Sequence, residues 1–163
     1  GSAMELDERT LGMIKEVVKE KNIHTLWFEA HYMYRKQLAK FAEQFDGVEV
    51  KFRCGVESFD GQLREQWKKG IAANVTVADV AKHFQGVCLL CCTKGDTKER
   101  ILRDIALAEQ YFEYASVNVF CENSTSVKRD NDLAKWFVEE VYPTLKQSKK
   151  IEILINNTDL GVG

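Results

Sequence analysis

Apolar residues in this chain form blocks that have either the spacing of a helix or the compactness of a buried strand. Residues 5–20 carry a stripe at helical spacing, formed by Leu6, Met13, Ile14, Val17 and Val18. Strand-like apolar runs occur at residues 23–28, 48–56, 87–92, 116–121 and 151–155. Helical patterns follow these runs, at residues 31–45, 61–70, 76–84, 97–112 and 130–145. The chain is therefore predicted to alternate between strands and helices.

This alternation predicts an α/β fold with a parallel sheet. The predicted strands start roughly 25 to 39 residues apart, which is the size of a βα unit. The run at residues 87–92 is apolar at nearly every position, as expected for a strand covered on both faces. Right-handed crossovers leave two arrangements, a doubly wound sheet or part of a barrel. No linker rich in glycine or proline divides the 163 residues, so residues 4–163 are predicted to form a single domain and residues 1–3 are interpreted as a cloning scar.

Polar side chains collect just after each predicted strand, where parallel α/β sheets bind their ligands. They are Glu29, His31, Glu57, Ser58, Asp60, Thr93, Lys94, Asp96, Thr97, Glu122, Asn123, Ser124, Asn156, Asn157, Thr158 and Asp159. Helix capping explains many of the Asp, Asn, Ser and Thr residues. It explains Glu29, Glu57 and Glu122 less well, because Glu is not a favoured N-cap. With Ser58, which follows Glu57 directly, these residues are candidates for contact with a small molecule.

Composition and charge narrow the classes of partner. The net charge is −2 without a long single-sign run, so bulk charge does not indicate nucleic-acid binding. No apolar run reaches the roughly 18 residues of a membrane span, and no signal peptide pattern is present. The five cysteines suit packing roles in a reducing cytosol, and they are Cys54, Cys88, Cys91, Cys92 and Cys121. Strand geometry places Cys88 and Cys91 on opposite faces, which disfavours a shared metal.

Several segments resemble the radical S-adenosylmethionine (radical SAM) family. Residues 55–64 read Gly-Val-Glu-Ser-Phe-Asp-Gly-Gln-Leu-Arg, and Lys-Gly-Ile follows at 69–71. Together they resemble the G-[VL]-E-[ST]…L-R…KG segment of that family. Residues 89–97 resemble its later strand and phosphate-loop-like turn, whereas 117–125 and 153–163 resemble one uncharacterised bacterial branch. The resemblance covers nearly the whole chain, and the order and spacing of the segments are more specific than any single motif.

The resemblance implies a partial (βα) TIM-like barrel with about five parallel strands and outer helices. In the family, a six-stranded barrel carries a CxxxCxxC loop after its first strand, and these thiolates hold a 4Fe–4S cluster to which SAM binds. This chain contains no CxxxCxxC. Its strands match the second to sixth of the family, with residues 5–20 as the helix after the cluster loop. We therefore expect a SAM-binding half-barrel without the cluster loop, either cut from a longer chain or naturally truncated, and inactive as given.

The resemblance also implies a set of SAM-binding residues. Glu29 matches the acidic end of a Gly-Gly-Glu motif that contacts the SAM amino group, with Trp27 and Phe28 in place of the glycines. Carboxylates suit ammonium and ribose hydroxyl groups because they accept several hydrogen bonds. The remaining expected contacts are Glu57 and Ser58 near the ribose and carboxylate, Thr93, Lys94 and Gly95 near the adenine, and Asn118, Glu122 and Asn123 facing ligand or substrate. The substrate itself cannot be read from the sequence.

Two other functions remain open from the residues alone. One is a non-catalytic α/β binding or self-assembly module, since a half-barrel exposes the edge of the strand at 23–28 and open edges tend to pair into homo-oligomers. The other is an unrelated α/β enzyme that uses Glu29, Glu57 or Asp96 as a general acid or base.

Overall fold

The computed structural model describes residues 2–124 and 126–156. Its strands are β1 (Thr25–Glu29), β2 (Glu49–Glu57), β3 (Gly86–Cys91), β4 (Tyr114–Val119) and β5 (Ile151–Leu154). Its helices are α1 (Glu8–Glu20), α2 (Leu38–Ala42), α3 (Gly61–Gln66), α4 (Val77–Ala81), α5 (Lys98–Tyr111), α6 (Asn131–Trp136) and α7 (Tyr142–Leu145), with 3-10 turns at Ala3–Glu5 and Tyr32–Tyr34. The predicted polar residues Asn157, Thr158 and Asp159 and the matched Thr125 lie outside the described residues.

All five strands are parallel and lie in the order β1-β2-β3-β4-β5. Each strand therefore pairs with the next along the chain, and every crossover runs in the same direction. Because crossovers are right-handed, a constant direction places the connecting helices on one face of the sheet. A doubly wound sheet would need a reversal of strand order. The prediction of a half-barrel with outer helices is confirmed.

The two faces of the sheet carry different residues because side chains alternate along a strand. The face toward the helices is apolar and buried, and it includes Phe52, Cys54, Val56, Val87, Leu89, Cys91, Ala115, Val117, Val119 and Ile151. The concave face carries polar groups. In register, Gly55 lies opposite Cys88 and Cys88 lies opposite Ser116. Cys88 and Cys91 face opposite sides, as the alternation predicts.

The helical layer departs from the sequence prediction in two segments. The segment at 31–45 is a 3-10 turn followed by the short helix α2. His31 caps the start of the turn: its Nδ1 accepts from Met33 N at 3.2 Å, and its Nε2 contacts Lys69 O at 2.7 Å. Phe41 is buried as predicted, whereas Met33 is 63% exposed instead of facing inward. The long helix predicted at 130–145, with a break near its end at Pro143, forms as α6 and α7 joined by a π-helical turn just before Pro143, whose ring cannot join the regular hydrogen-bond ladder.

Helix α1 begins at Glu8 and not at residue 5, because the Asp7 side chain accepts from Thr10 N at 2.7 Å and caps the helix. Its predicted apolar stripe is only partly correct. Val18 is buried, but Met13 and Val17 are 57% and 48% exposed. Strand β4 also begins two residues earlier than predicted, at Tyr114, so its ladder ends before Cys121.

Strand β1 lies at an open edge of the sheet. Within residues 2–124 and 126–156, β1 pairs with β2 alone. Ser2 and Ala3, which belong to the segment interpreted from the sequence as a cloning scar, are buried, and Ala3 joins the hydrophobic core. Self-association through this edge remains a prediction.

Within residues 2–124 and 126–156, the helices fall short of the length and hydrophobicity needed to cross a membrane.

Gly61, the first residue of α3, gives a direct test of the packing around the end of β2. A Cβ at this position would lie 2.3 Å from Ala73 O and 2.7 Å from Ala73 Cα, which are backbone atoms. We expect Gly61→Ala to lower the free energy of unfolding by about 1–3 kcal/mol through overpacking. Gly12→Ala is the matched control, since nothing lies within 4 Å of its Cβ position, and it should stabilise α1 by about 0.5–1 kcal/mol. Urea unfolding that shows the same change for both variants would contradict this packing.

Candidate functional site

The concave face forms a cavity of about 470 Å³. This volume lies within the roughly 300–1,000 Å³ typical of ligand pockets. The cavity is lined by Glu29, Arg53, Glu57, Cys88, Leu90, Ser116, Asn118, Val119, Phe120, Cys121, Asn123, Glu152 and Leu154. Four of the predicted site residues are among them, namely Glu29, Glu57, Asn118 and Asn123. These come from three different strand ends, so the fold brings them together at one site.

Glu29 and Glu57 lie side by side on the same rim. A Cβ added to Gly55 would lie 3.6 Å from Glu29 Oε1 and 3.8 Å from Glu57 Oε1. The two carboxylates therefore flank Gly55, and its missing side chain leaves space between them. A cation stands beside each carboxylate: Arg53 Nε lies 3.5 Å from Glu29 Oε2, and Lys69 Nζ donates to Glu57 Oε1 at 2.9 Å.

A local irregularity of β2 places the Glu57 side chain in the cavity. The register with β3 shifts between Gly55 and Glu57, and Glu57 has a φ of 62° in the left-handed region. A bulge of this kind adds a residue to one strand and re-aims the side chain that follows. This backbone conformation costs a non-glycine residue free energy, so the contacts around Glu57 must hold the backbone in place.

Trp27 and Phe28, which the family resemblance aligns with two glycines, point to different faces. Trp27 lies on the concave side, 5.6 Å from the Tyr114 ring, near Gly86, whose Cβ would meet Trp27 Cζ3 at 3.0 Å. Phe28 packs on the outer side, 5.2 Å from the Phe41 ring. Trp27 therefore fills the floor of the half-barrel at the level below Glu29 and leaves the rim open.

Cys88 is a cavity residue that sequence reasoning missed. It is 7% exposed, and its thiol donates to Glu29 Oε2 at 3.7 Å. Burial raises the pKa of Cys88 to about 12, and the nearby Glu29 carboxylate acts in the same direction. The thiol is therefore protonated at neutral pH. Arg53, Ser116 and Glu152 were also not predicted from the sequence as cavity residues. Each lies two positions from another residue of the concave face on its own strand, so the two-residue alternation of a strand could have indicated them.

Strand β4 and the loop that follows it supply amides to the cavity. Asn118 lines it and donates from Nδ2 to Leu89 O at 3.2 Å, while Asn123 lines it from the loop that follows. Glu122 lies between them in sequence, but it is exposed and is not part of the lining.

Ser58 does not face the cavity. It is fully buried, its hydroxyl donates to Asp104 Oδ2 at 2.6 Å, and it accepts from Arg100 Nη1 at 3.1 Å. Arg100 also binds both carboxylate oxygens of Asp96, and it donates to Asp104 Oδ2 at 2.9 Å and to Leu90 O at 3.3 Å. The expected ligand contact of Ser58 is therefore corrected by the geometry: its hydroxyl belongs to a buried network that joins the ends of β2 and β3 to α5.

Thr93, Lys94 and Gly95 form a turn beside the cavity and not in its lining. Asp96 N donates to Thr93 O at 3.0 Å, and Gly95 has a φ of 87°, as the third position of a type II turn requires. Thr93 is buried, and Lys94 is exposed with its Nζ 3.2 Å from Asp130 Oδ2. The turn leads into α5, whose N-cap is Thr97.

Arg64, part of the L-R pair in the family-like segment, is structural. It is fully buried, and burial lowers its pKa. Its guanidinium donates to the carbonyl oxygens of Ser58 at 3.1 Å, Val75 at 2.7 Å, Ala72 at 3.2 Å and Ala73 at 3.3 Å. The side chain thus ties the loop after α3 to the end of β2.

A comparison with solved structures identifies the family. The chain matches a queuine lyase from Clostridium spiroforme bound to SAM and queuine, with 36% sequence identity and a TM-score of 0.90. The match covers 100% of this chain and 70% of that one. The chain belongs to the radical SAM superfamily. Neither a scan of family models nor a search of curated proteins returned a match.

The radical SAM resemblance raises the question of a 4Fe–4S cluster, and the cysteines described here do not fit one. Burial raises the pKa of Cys54 to about 12, and the pKa of Cys91 is raised by its hydrogen bond with Cys92 and by burial. Cluster ligands are thiolates, which these environments disfavour. Across residues 2–124 and 126–156, His, Cys, Asp and Glu form no group of three or more that could hold a metal.

Anaerobic reconstitution with iron and sulfide tests this assignment of the cysteines. We expect no stoichiometric four-iron centre, because Cys54 and Cys91 are buried on the outer face whereas Cys88 faces the cavity. Bound iron, bound sulfide and visible absorbance provide the measurement. A centre with four irons per chain that disappears in Cys88→Ser would overturn the assignment, and Cys121→Ser serves as the control at a less buried cysteine.

The buried network behind the rim gives a stability test. Arg100→Met leaves Asp96 buried without its cation and leaves Asp104 with only the more distant Arg103, 3.7 Å away, so we expect a loss of about 3–5 kcal/mol in the free energy of unfolding. The matched control is Arg103→Met on the same helix, whose side chain is 52% exposed against 7% for Arg100. That control should cost no more than about 1 kcal/mol. Urea unfolding followed by circular dichroism measures both, and losses of equal size would refute the role of the network.

Proposed function

We propose that the concave cavity binds SAM and a base of the queuine type, and that the chain is the ligand-binding half-barrel of a radical SAM lyase. The observation that supports this most strongly is the 36% identity, over the full chain, to a lyase whose structure holds both molecules. The chain itself carries no CxxxCxxC. We therefore propose that it binds its ligands but does not catalyse the reaction by itself.

Glu29 and Glu57 are proposed as the SAM-binding carboxylates. SAM carries an ammonium group and two ribose hydroxyls, and carboxylates accept hydrogen bonds from both kinds of donor. The space above Gly55 would admit the ligand between the two side chains, because no Cβ fills it. Arg53 and Lys69 stand beside these carboxylates and would orient them toward the ligand.

Some of the other predicted site residues line the cavity, and others lie behind or beside it. Asn118 and Asn123 line it, and their amides would contact SAM or substrate directly. Ser58 would act through Asp104 and Arg100, by holding the backbone next to Glu57. Contacts of the turn at Thr93, Lys94 and Gly95 with the adenine, and of Glu122 with substrate, remain predictions. When SAM is bound beside a cluster it supplies the radical chemistry of the superfamily, and this chain contributes the binding and the protonated Cys88 thiol at the cavity wall.

Calorimetric titration of the chain with SAM tests the proposal. We expect binding to the wild type, and at least a ten-fold loss in affinity in Glu29→Gln and in Glu57→Gln, since each removes a charge-assisted contact worth about 1.5–3 kcal/mol. The matched control is Glu16→Gln, the same chemical change at an exposed position of α1.

Three results would speak against the proposal. They are the absence of any heat of binding with SAM, equal losses in Glu16→Gln and Glu29→Gln, and unchanged affinity in both cavity variants. Circular dichroism of each variant separates a lost contact from a lost fold.

A further inference from the structure

The carboxylates of the cavity differ in their counter-ions. Glu29 faces Arg53, and Glu57 faces Lys69. Glu152 is an exposed residue that lines the same cavity from β5, and in the described part of the chain no Lys, Arg or His side chain forms an ion pair with it. A carboxylate without a cation, in a cavity that binds ligands, has acceptor sites open for a ligand with paired donors.

Glu152 also occupies a different wall from the other two carboxylates. It lies opposite Ser116 in the register of β4 and β5, three strands away from β2. At about 4.8 Å per strand, this corresponds to about 14 Å along the curved sheet. The cavity is therefore long enough across the sheet to hold one ligand near Glu57 and a second near Glu152.

The surroundings of Glu152 suit a planar, partly apolar ligand. Leu90, Phe120 and Leu154 line the cavity on this side and would cover the faces of a ring. The Tyr114 hydroxyl donates a hydrogen bond to Glu152 Oε2 and orients the carboxylate. The second oxygen, Oε1, is left for a ligand, and Oε2 retains a further acceptor site.

We infer that Glu152 recognises the base of the substrate by accepting hydrogen bonds from its ring N–H and its exocyclic amino group. This inference rests on the proposed function. The ring of queuine is a 7-deazaguanine, whose N1–H and 2-amino group are adjacent, parallel donors. A carboxylate accepts two parallel N–H groups with its two oxygens, and such charge-assisted pairs are stronger than neutral hydrogen bonds. Glu152 would thus select a 2-amino-4-oxopyrimidine edge.

The test compares two uncharged bases that differ by one amino group, 7-deazaguanine and 7-deazahypoxanthine. By calorimetry, we expect the wild type to bind 7-deazaguanine at least ten-fold more tightly. In Glu152→Gln the affinity for 7-deazaguanine should fall at least ten-fold and the difference between the bases should disappear, because the amide replaces one acceptor with a donor. SAM affinity should be unchanged. Tyr114→Phe should show a smaller loss, and Glu16→Gln none.

Other outcomes separate this inference from the function on which it rests. Wild-type affinity for 7-deazaguanine in Glu152→Gln, with SAM binding still dependent on Glu29, would overturn the inference and leave the proposed function standing. A loss for queuine but not for 7-deazaguanine would mean that Glu152 pairs with the side-chain ammonium of queuine, which also overturns it. If the wild type binds neither SAM nor queuine, the proposed function fails and the inference fails with it.

Discussion

The buried guanidinium of Arg100 is the interaction on which the geometry of the rim depends. Two carboxylates, a hydroxyl and a main-chain carbonyl surround it, and together they join the end of β2, the end of β3 and helix α5. Buried charges are costly unless every member is paired. The network therefore tolerates few arrangements, and this restriction holds the backbone beside Glu57 and the turn after β3 in place. A second buried cation, Arg64, restrains the loop after α3 in the same way.

The carboxylates on the two walls of the cavity have different partners. The carboxylates on β1 and β2 stand next to cations, whereas the carboxylate on β5 accepts a hydrogen bond from the Tyr114 hydroxyl and, among residues 2–124 and 126–156, has no cation beside it. A ligand with an ammonium group and a ligand with paired N–H donors would find different partners on the two walls. Between the walls, Cys88 and Ser116 present small, mostly buried groups, which leaves the middle of the cavity open. This arrangement is consistent with a site that holds two molecules next to each other.

The family resemblance and the structure both place Glu29 and Glu57 at the rim of the cavity, but the residues around these two carboxylates differ from what the motif suggests. The resemblance aligns Glu29 with the acidic end of the family motif and bulky residues with its glycines, and the structure has room for both bulky side chains because Trp27 lies lower in the half-barrel and Phe28 packs outside. Gly55, and not the residues before Glu29, leaves the space next to the carboxylates. The matched segment at residues 55–64 thus combines a cavity glycine and glutamate with Ser58 and Arg64, which act behind the rim. A motif preserved in sequence does not assign one role to all its members.

The sequence by itself determined the order of strands and helices and the α/β class, because these depend on local periodicity. It also placed Glu29 and Glu57 at strand ends. Only the tertiary structure decided which polar residues face the cavity. Ser58 and Glu57 are adjacent in sequence, yet a bulge and a left-handed residue turn one inward and leave the other in a buried network. Cys88, Arg53 and Glu152 became neighbours of one cavity because sheet register joins residues that are about thirty or more positions apart. No local pattern encodes that register, since it is set by the packing of the whole sheet against its helices.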